Sequence, residues 1–567
     1  VAAGIASETP STNAGHGVAI VPLRDSLVPG ELRLTSMLLL GVVGFVLLLC
    51  CANVANLLLA RATGRARELA IRTALGAGRQ RIVRQLITES LVLASLGAAL
   101  GGAIGGGLLQ ATAAMVPPGL LPAVVPLAFD GRVMTFCAIA AVVVAIAFSL
   151  VPAWHATRDG LTRSGDGRTA TPRGRLQHLL AGAEVAVAVL LLCGAGLFVR
   201  TLLALEDVDS GARARNVLTM IVPTRMSNDA EYLRRHYEAV EREVSNVPGV
   251  RRVAWGSALP FSGRWYEQSF HIDGEAPGPQ ATRGGAAYQM VNHSYFDTLD
   301  IPILAGRAFD ERDRPGAVEV CIVDEVFVQR YLQGRDPLRT RIVVNAMPSR
   351  PVIREIVGVV RHVKERPEET EEAPAIYVPL AQNAWWSASL LVEPHEGPAA
   401  ALTPAIRAAV ARVDRDRAVT QVRTLDAIAA TATARPRFRA VLVGAFAGLA
   451  LLLALVGVFG VLAYSVEQRR RELGIRLALG AGTVGILKVV MGRAGRLIAA
   501  GAVVGFIAAV GVGRLISSFL FGVEPLDLWA FGSAALLLML TAAIAVAVPA
   551  VRATRVDPVV ALRADLG

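Results

Sequence analysis

Seven separate apolar runs, each long enough to cross the hydrocarbon core of a bilayer, constrain this chain more than any other feature. A spanning helix needs about 20 such residues, and the runs cover 36–60, 87–116, 132–154, 176–199, 440–466, 491–512 and 528–551. Backbone polar groups in hydrocarbon must be satisfied within their own segment, so each run is read as a helix. The 53% hydrophobic content over 567 residues agrees with a membrane class. One long polar region, 201–438, separates the fourth run from the fifth.

The net charge of +11 comes almost wholly from arginine, with lysine only at Lys364 and Lys488. Its placement is a topology signal. Arg61, Arg65, Arg67, Arg72, Arg79, Arg81 and Arg84 follow the first run, against the single acid Glu68, while 117–130 holds no Lys or Arg. Arg469, Arg470, Arg471, Arg476 and Lys488 follow the fifth run, while 517–527 again holds none. Residues 61–86, 155–175, 467–490 and the C-terminal segment are therefore expected in the cytoplasm, and 117–130, 201–438 and 515–527 outside it. No basic stripe with interleaved aromatics is present, so nucleic acid is not an expected partner.

The two arginine-rich loops carry nearly the same letters. Arg67-Glu68-Leu69-Ala70-Ile71-Arg72-Thr73-Ala74-Leu75-Gly76-Ala77-Gly78 recurs 404 positions later as Arg471-Glu472-Leu473-Gly474-Ile475-Arg476-Leu477-Ala478-Leu479-Gly480-Ala481-Gly482, with ten of twelve positions identical. At the same offset Gly97 and Gly101 fall on Gly501 and Gly505, and Gly105 on Ala509. At an offset of 397, Val151-Pro152-Ala153 and Ala156-Thr157-Arg158 fall on Val548-Pro549-Ala550 and Ala553-Thr554-Arg555, and Asp130 on Asp527. Three collinear matches imply a parallel repeat. The second copy reads as a helix, a large outer domain and three helices. By symmetry the first is expected to lack its initial helix and most of an outer domain before Val1, with 1–35 as that domain's tail.

As a helix, the repeated segment has an apolar side ringed by arginine and ends at Gly76 or Gly480. Such a helix can lie on lipid phosphates or dock into a partner; near-identical repetition favours docking. Gly97, Gly101 and Gly105, and Gly501 and Gly505, put small residues on one helix face, which suits tight packing. Glu184 and Glu89 are the acidic residues within apolar runs, read as structural or interfacial rather than as an ion relay. The region 201–438 reads as mixed α/β, with strands expected at 216–223, 250–257, 318–323, 356–360, 376–379 and 390–392, and helices at 231–247 and 401–413.

Other chemistry is not indicated. Cys50, Cys51, Cys137 and Cys193 lie in apolar runs and Cys321 stands alone, without disulfide or metal spacing. There is no Gly-x4-Gly-Lys-[Ser/Thr] phosphate loop, no HExxH and no triad spacing. No catalytic residue, cofactor or metal is assigned, and the chain is not expected to be an enzyme.

These features resemble the MacB-like and FtsX-like permeases of ABC transport systems. The repeated Arg-Glu-Leu-x-Ile-Arg-x-Ala-Leu-Gly-Ala carries the resemblance first, and the closing Pro549-to-Arg563 pattern second. In the outer region Val247-Pro248-Gly249-Val250, Tyr295-Phe296-Asp297-Thr298-Leu299, Gly306-Arg307-x-Phe309 and Ile356-Val357-Gly358-Val359-Val360 look like that family's periplasmic core. The resemblance implies a two-unit permease of the bacterial inner membrane. Its parts would be three-helix modules at 36–154 and 439–567, a linker at 155–175, a helix at 176–200 and a periplasmic core domain at 201–438. The core domain would hold a ferredoxin-like subdomain and an inserted one. The resemblance also implies that Arg67, Glu68, Ile71, Arg72, Leu75, Gly76, Arg471, Glu472, Ile475, Arg476, Leu479 and Gly480 lie in coupling helices that meet a separate ABC ATPase. An extracytoplasmic adaptor or substrate protein and membrane lipid would be the other partners, and efflux the activity. Glu184 stands where relatives often have glutamine. A regulatory scaffold that activates an extracytoplasmic enzyme fits the same architecture, and an ion-coupled transporter fits it less well.

Overall fold

The computed structural model describes residues 22, 30–64, 79–115, 130–158, 172–212, 216–227, 229–262, 266–275, 283–346, 350–367, 372–468 and 483–554. Four long helices come first: α1 (Gly30–Gly64), α2 (Arg79–Met115), α3 (Gly131–Arg158) and α4 (Pro172–Glu206). A mixed region follows, with β1 (Leu218–Pro223), α5 (Ala230–Ser245), β2 (Val250–Gly256), β3 (Tyr266–Ile272), β4 (Arg283–Val291), the short α6 (Tyr295–Thr298) and β5 (Ile303–Gly306). It continues with β6 (Val320–Asp324), α7 (Glu325–Tyr331), β7 (Arg341–Ala346), β8 (Arg350–Val360), β9 (Ala375–Pro379), β10 (Ser387–Pro394), α8 (Thr403–Val413), β11 (Thr420–Thr424) and α9 (Leu425–Ala432). Helices α10 (Ala434–Gln468), α11 (Thr483–Leu515) and α12 (Leu528–Thr554) close the chain. Two compact units result, Val1–Thr201 with Arg437–Gly567, and Leu202–Pro436.

In the first unit, six helices carry apolar spans long enough to cross a membrane. The spans are Arg33–Asn56, Ile87–Ala111, His178–Glu206, Ala434–Val461, Gly495–Leu515 and Leu528–Ala545. The seventh apolar run falls in α3, whose described apolar stretch, Gly131–Val143, is shorter. Much of the surface of these helices is apolar and exposed, as at Leu100, Ile104, Leu452 and Ile507. In water such a surface would cost about 25 cal/mol per Å²; against lipid it costs nothing. α2 packs on α3, α1 on α3, and α11 on α12.

In the second unit, the strands join one sheet in the order β11-β1-β10-β2-β4-β3-β7-β8-β6-β9. Its first four strands are antiparallel neighbours throughout. With α5 between β1 and β2, and α8 between β10 and β11, they form the β-α-β-β-α-β pattern of a ferredoxin-like subdomain. The segment between β2 and β10 is the insertion. There β4 also pairs with β9 in parallel, so β4, β3, β7, β8, β6 and β9 close into a ring. Closure leaves no free strand edge in that part. β5 adds to β8 outside the ring.

Local chemistry explains the elements. Asp229 caps α5, accepting hydrogen bonds from the N–H groups of Glu231 and Tyr232 at 3.0 and 3.1 Å. The buried residues of α5, Leu233, His236, Tyr237, Val240 and Val244, recur at helical spacing. They meet the β1, β2 and β10 side chains Met220, Trp255 and Leu390, all fully buried. Gly306 (φ +73°) and Gly358 stand where β5 meets β8, and an added Cβ would come within 2.2 Å of the Val357 carbonyl or 2.4 Å of that of Arg307. The resemblance motifs around them therefore serve the fold.

Replacing Trp255, which is fully buried, with alanine is expected to cost ~3–5 kcal/mol, read as a lower unfolding midpoint of the outer unit in detergent. His236, also buried, stacks near Tyr232 and Tyr237 at 6.3 and 6.0 Å. Burial pushes its pKa below 6.5, opposed by Asp414 and helped by Arg417. A depressed pKa gives stability that is complete above the unfolded value and lost as pH falls through the folded one. The melting temperature should thus drop on acidification below pH about 6.5, and His236→Leu should flatten that slope. Glu241, raised by burial, acts with the opposite sign in both proteins, so the comparison isolates His236.

Candidate functional site in the membrane helices

The repeated-motif residues Arg67, Glu68, Ile71, Arg72, Leu75, Gly76, Arg471, Glu472, Ile475, Arg476, Leu479 and Gly480 lie outside the described residues. The helices around them are described, and their bounds repeat with the letters. α1 ends at Gly64 and α10 at Gln468, and α2 starts at Arg79 and α11 at Thr483. Each pair differs by the offset of the motif.

The small-residue faces of α2 and α11 share letters but not surroundings. A Cβ added at Gly501 would stand 2.5 Å from the carbonyl oxygen of Gly182, and one at Gly505 would stand 2.5 Å from that of Ala186. α11 therefore lies tightly on α4, with Ala509 buried one turn further along. At Gly97 and Gly101 an added Cβ meets nothing within 4 Å. Gly105 lies on the same helix, α2, half-buried. An added side chain is thus crowded along the second stripe and meets open space at Gly97 and Gly101.

The repeated aspartates are helix caps. Asp130 Oδ1 accepts from the Val133 N–H at 3.0 Å, and Asp527 Oδ1 from the Ala530 N–H at 2.8 Å. Each holds the first turn of the last helix of its copy, α3 or α12. A carboxylate there also meets the positive end of the helix dipole. Arg200 on α4 lies 3.5 Å from Asp527.

The one cluster of buried polar side chains among the described residues of this unit joins α1, α4 and α10. Glu184 is 1% exposed, Asn53 6% and Asn56 7%. Asn56 Nδ2 donates to Glu184 Oε1 at 3.2 Å. Asn53 Nδ2 donates to the carbonyl of Leu49 at 3.3 Å and to that of Leu453, on α10, at 3.0 Å. Gly457 on α10 leaves the space that Glu184 fills, since a Cβ there would lie 1.6 Å from Glu184 Oε2. Interhelical hydrogen bonds in membranes are worth ~0.6 to ~2 kcal/mol each. Glu184 was visible in the sequence as an acid in an apolar run; Asn53 and Asn56 carried the same signal more weakly, and Gly457 none. Glu89 instead accepts from Gln85 at 3.1 Å on an exposed face.

In the second unit, buried Asp324 organises one end of the ring. It caps α7 by accepting from Phe327 N at 2.8 Å, accepts from Ala375 N at 3.0 Å, and lies 2.6 Å from His362 Nδ1. Arg307 grips Asp313 with two hydrogen bonds, at 2.7 and 2.8 Å. Asp310 is held far below the usual carboxylate range by Arg312. Burial pushes the Cys321 thiol up to about 12, which makes it an unreactive core residue. A cavity of about 550 Å³ is lined by Glu206, Asp207, Asp209, Phe261 and Asp426. No group of three or more metal-ligating side chains occurs among the described residues.

A family model described as FtsX-like permease C-terminal matches residues 40–161 and again 444–558, and one described as MacB-like periplasmic core domain matches 185–429. The chain belongs to the MacB-like and FtsX-like permease family. Macrolide export ATP-binding/permease protein MacB 2 of Aeromonas hydrophila is 28% identical over 292 residues, 48% of this chain and 42% of that protein. The uncharacterized ABC transporter permease YknZ of Bacillus subtilis is 25% identical over 331 residues, 56% of this chain and 77% of that protein. The solved periplasmic region of MacB from Actinobacillus actinomycetemcomitans is 12% identical, with a TM-score of 0.28, and the match covers 40% of this chain and 96% of that one. The chain spans less than half the length of the curated MacB relatives it matches, 42% and 40% for two of them. The MacB-like match overlaps α4 and the whole sheet, so the ferredoxin-like subdomain and the ring are its extracytoplasmic part, and the chain is a multi-pass membrane protein.

Leucine at 505 should separate α11 from α4 and lower the thermal midpoint of this permease in detergent, by an overpacking cost of ~1–3 kcal/mol or more. Gly101→Leu, on the open face of α2, should leave it within about 0.5 kcal/mol.

Proposed function

We propose that this chain is the permease subunit of an ABC-type efflux system of a bacterial inner membrane, driven by a separate ATPase through mechanotransmission. Seven helices in two parallel three-helix modules, 36–154 and 439–567, with α4 between them, form the membrane part. Residues 65–78 and 469–482 are the coupling segments, on the cytoplasmic side. Their arginines and apolar side dock ATPase subunits, and closure of the ATPase pair drives α1, α2, α10 and α11. The movement reaches the outer domain, which handles substrate or an adaptor outside the membrane instead of passing it through a polar pore.

One observation carries this reading. The same arginine-rich letters stand between the same helix bounds in both copies, at Gly64 to Arg79 and Gln468 to Thr483, and both lie inside FtsX-like permease matches. A contact with lipid alone would not require a fixed sequence; a protein groove does. The helix faces fit a lipid-embedded permease, because they carry many large exposed apolar side chains, such as Leu100, Ile104, Leu452 and Ile507.

Arg72→Glu combined with Arg476→Glu should remove the ATPase from the solubilised complex while the permease keeps its thermal midpoint. Co-purification on the tagged permease, read by mass spectrometry, measures this. An ATPase that stays bound at wild-type yield overturns the docking assignment.

A further inference from the structure

The polar cluster sits on the symmetry of the sequence. At the offset of 404, Leu49 corresponds to Leu453, Asn53 to Gly457 and Asn56 to Gly460. Asn53 donates to the carbonyls of Leu49 and Leu453, which are equivalent residues of the two copies. The equivalent positions 53 and 457 also face each other, since the place of a Cβ on Gly457 lies 3.1 Å from Asn53 Oδ1. α1 and α10 therefore approach each other at matching heights.

The surroundings are not symmetric. One copy supplies two asparagines and the other two glycines, and the space over Gly457 is filled by Glu184 from α4. Glu184 Oε2 and Asn56 Oδ1 are buried without a hydrogen-bond partner. A buried, half-satisfied carboxyl is costly, so packing from three helices must hold it in place. The cluster lies toward one end of all three helices. Asn53 and Asn56 lie in the second half of α1 (Gly30–Gly64), Gly457 in the second half of α10 (Ala434–Gln468), and Glu184 in the first half of α4 (Pro172–Glu206). The ends of α1 and α10 nearest the cluster lead into the repeated segments. From Asn53 to the end of α1, and from Gly457 to the end of α10, each helix runs on for the same length, about 16 Å at 1.5 Å per residue.

We propose that Glu184, with Asn53, Asn56 and Gly457, is a pivot. It fixes the spacing of α1 and α10 at one height, so a displacement of their ends at Gly64 and Gln468 appears as a displacement of their opposite ends. This rests on the reading that the segments after α1 and α10 dock an ATPase. Glu184 is then a positioning residue for the transmission of force. Matching arms of α1 and α10 about one fixed contact convert closure at the motor into movement at the outer face. A uniformly apolar contact would let the helices slide, because lipid and leucine are equally apolar.

The test uses the full permease with its co-purified ATPase in nanodiscs. Spin labels are placed on unnatural amino acids, which spare the native cysteines, at positions 64 and 468 and, in a second preparation, at 40 and 444. ATP with vanadate should shift the distance distribution of both pairs in the wild type. Glu184→Ala should keep the shift at 64 and 468 but lose it at 40 and 444, and should broaden both distributions without nucleotide. Glu184→Gln, which keeps the acceptor for Asn56, should behave as wild type. If Glu184→Ala does not accumulate, Asn53→Ala takes its place with the same expectation. Transmission to 40 and 444 at wild-type size in the alanine variant overturns the pivot. If vanadate moves neither pair in the wild type, the docking reading fails instead, and the pivot is judged on the nucleotide-free widths, where a wild-type width in the alanine variant overturns it.

Discussion

Hydrocarbon offers no hydrogen-bond partner, and the first unit of this permease follows from that. Every backbone N–H and C=O in a span must be satisfied along its own helix, so the apolar runs had one available conformation. The same rule makes side chains informative. Among the described residues of the membrane unit, the buried polar side chains are Asn53, Asn56, Glu184 and Thr201; Asn56 bonds to Glu184, and Asn53 stands beside the same Gly457. Residues that cost this much to bury persist where their contacts give a specific geometry that leucine would not. A hydrogen bond from Asn53 to the Leu453 carbonyl fixes height and rotation between two helices; apolar packing alone fixes them weakly.

Water imposes the opposite problem on the outer domain. There the free edge of a sheet is the liability, and the chain removes much of it by closing the inserted strands into a ring. Asp324 sits at one end of that ring and joins β6, α7, His362 two residues past β8 and the start of β9 through a single carboxylate. The motifs by which this region resembles the MacB-like core mostly mark such constraints. Gly306 and Gly358 permit two backbones to approach, Phe296 packs with Phe309 and Tyr377, and Gly249 turns the chain into β2 with φ +92°. They identify a fold without identifying a reacting group.

What the sequence revealed depended on how much one signal could dominate. Long apolar runs and charge asymmetry gave the helices, and six of the seven have described spans of full length. In the outer domain the apolar strands β1, β2, β6, β9 and β10 were legible, and so were α5 and α8. β3, β4, β7 and β11 were not. β3 and β11 mix polar and apolar residues, as in the Tyr-Glu-Gln-Ser-Phe-His-Ile of β3, because part of each is exposed, while β4 is largely buried but opens on Arg-Gly-Gly-Ala-Ala, which carries no strand signal. Asp130 and Asp527 were found as matching letters, but their role as caps needed coordinates. The glycine stripes were found in both copies, yet only neighbours decide whether a stripe is packed, and α4 supplies those neighbours to α11. Asn53 and Asn56 were hidden inside a run judged by its average.

The contrast between repeated and unrepeated letters then has a physical meaning. Letters that repeat here have local jobs that both copies need, such as the cap before α3 and before α12 or the segment between paired helix ends. Local jobs are indifferent to the rest of the protein, so both copies can keep the same residue. A position where equivalent helices meet each other is different. Two identical large polar residues at 53 and 457 would compete for one space, and two glycines would leave a gap. Asparagine opposite glycine, with a carboxylate from a third helix over the glycine, fills the space once. The departure from symmetry is therefore a consequence of contact across the repeat, and it places Glu184 where the two halves of the membrane unit must agree on their spacing.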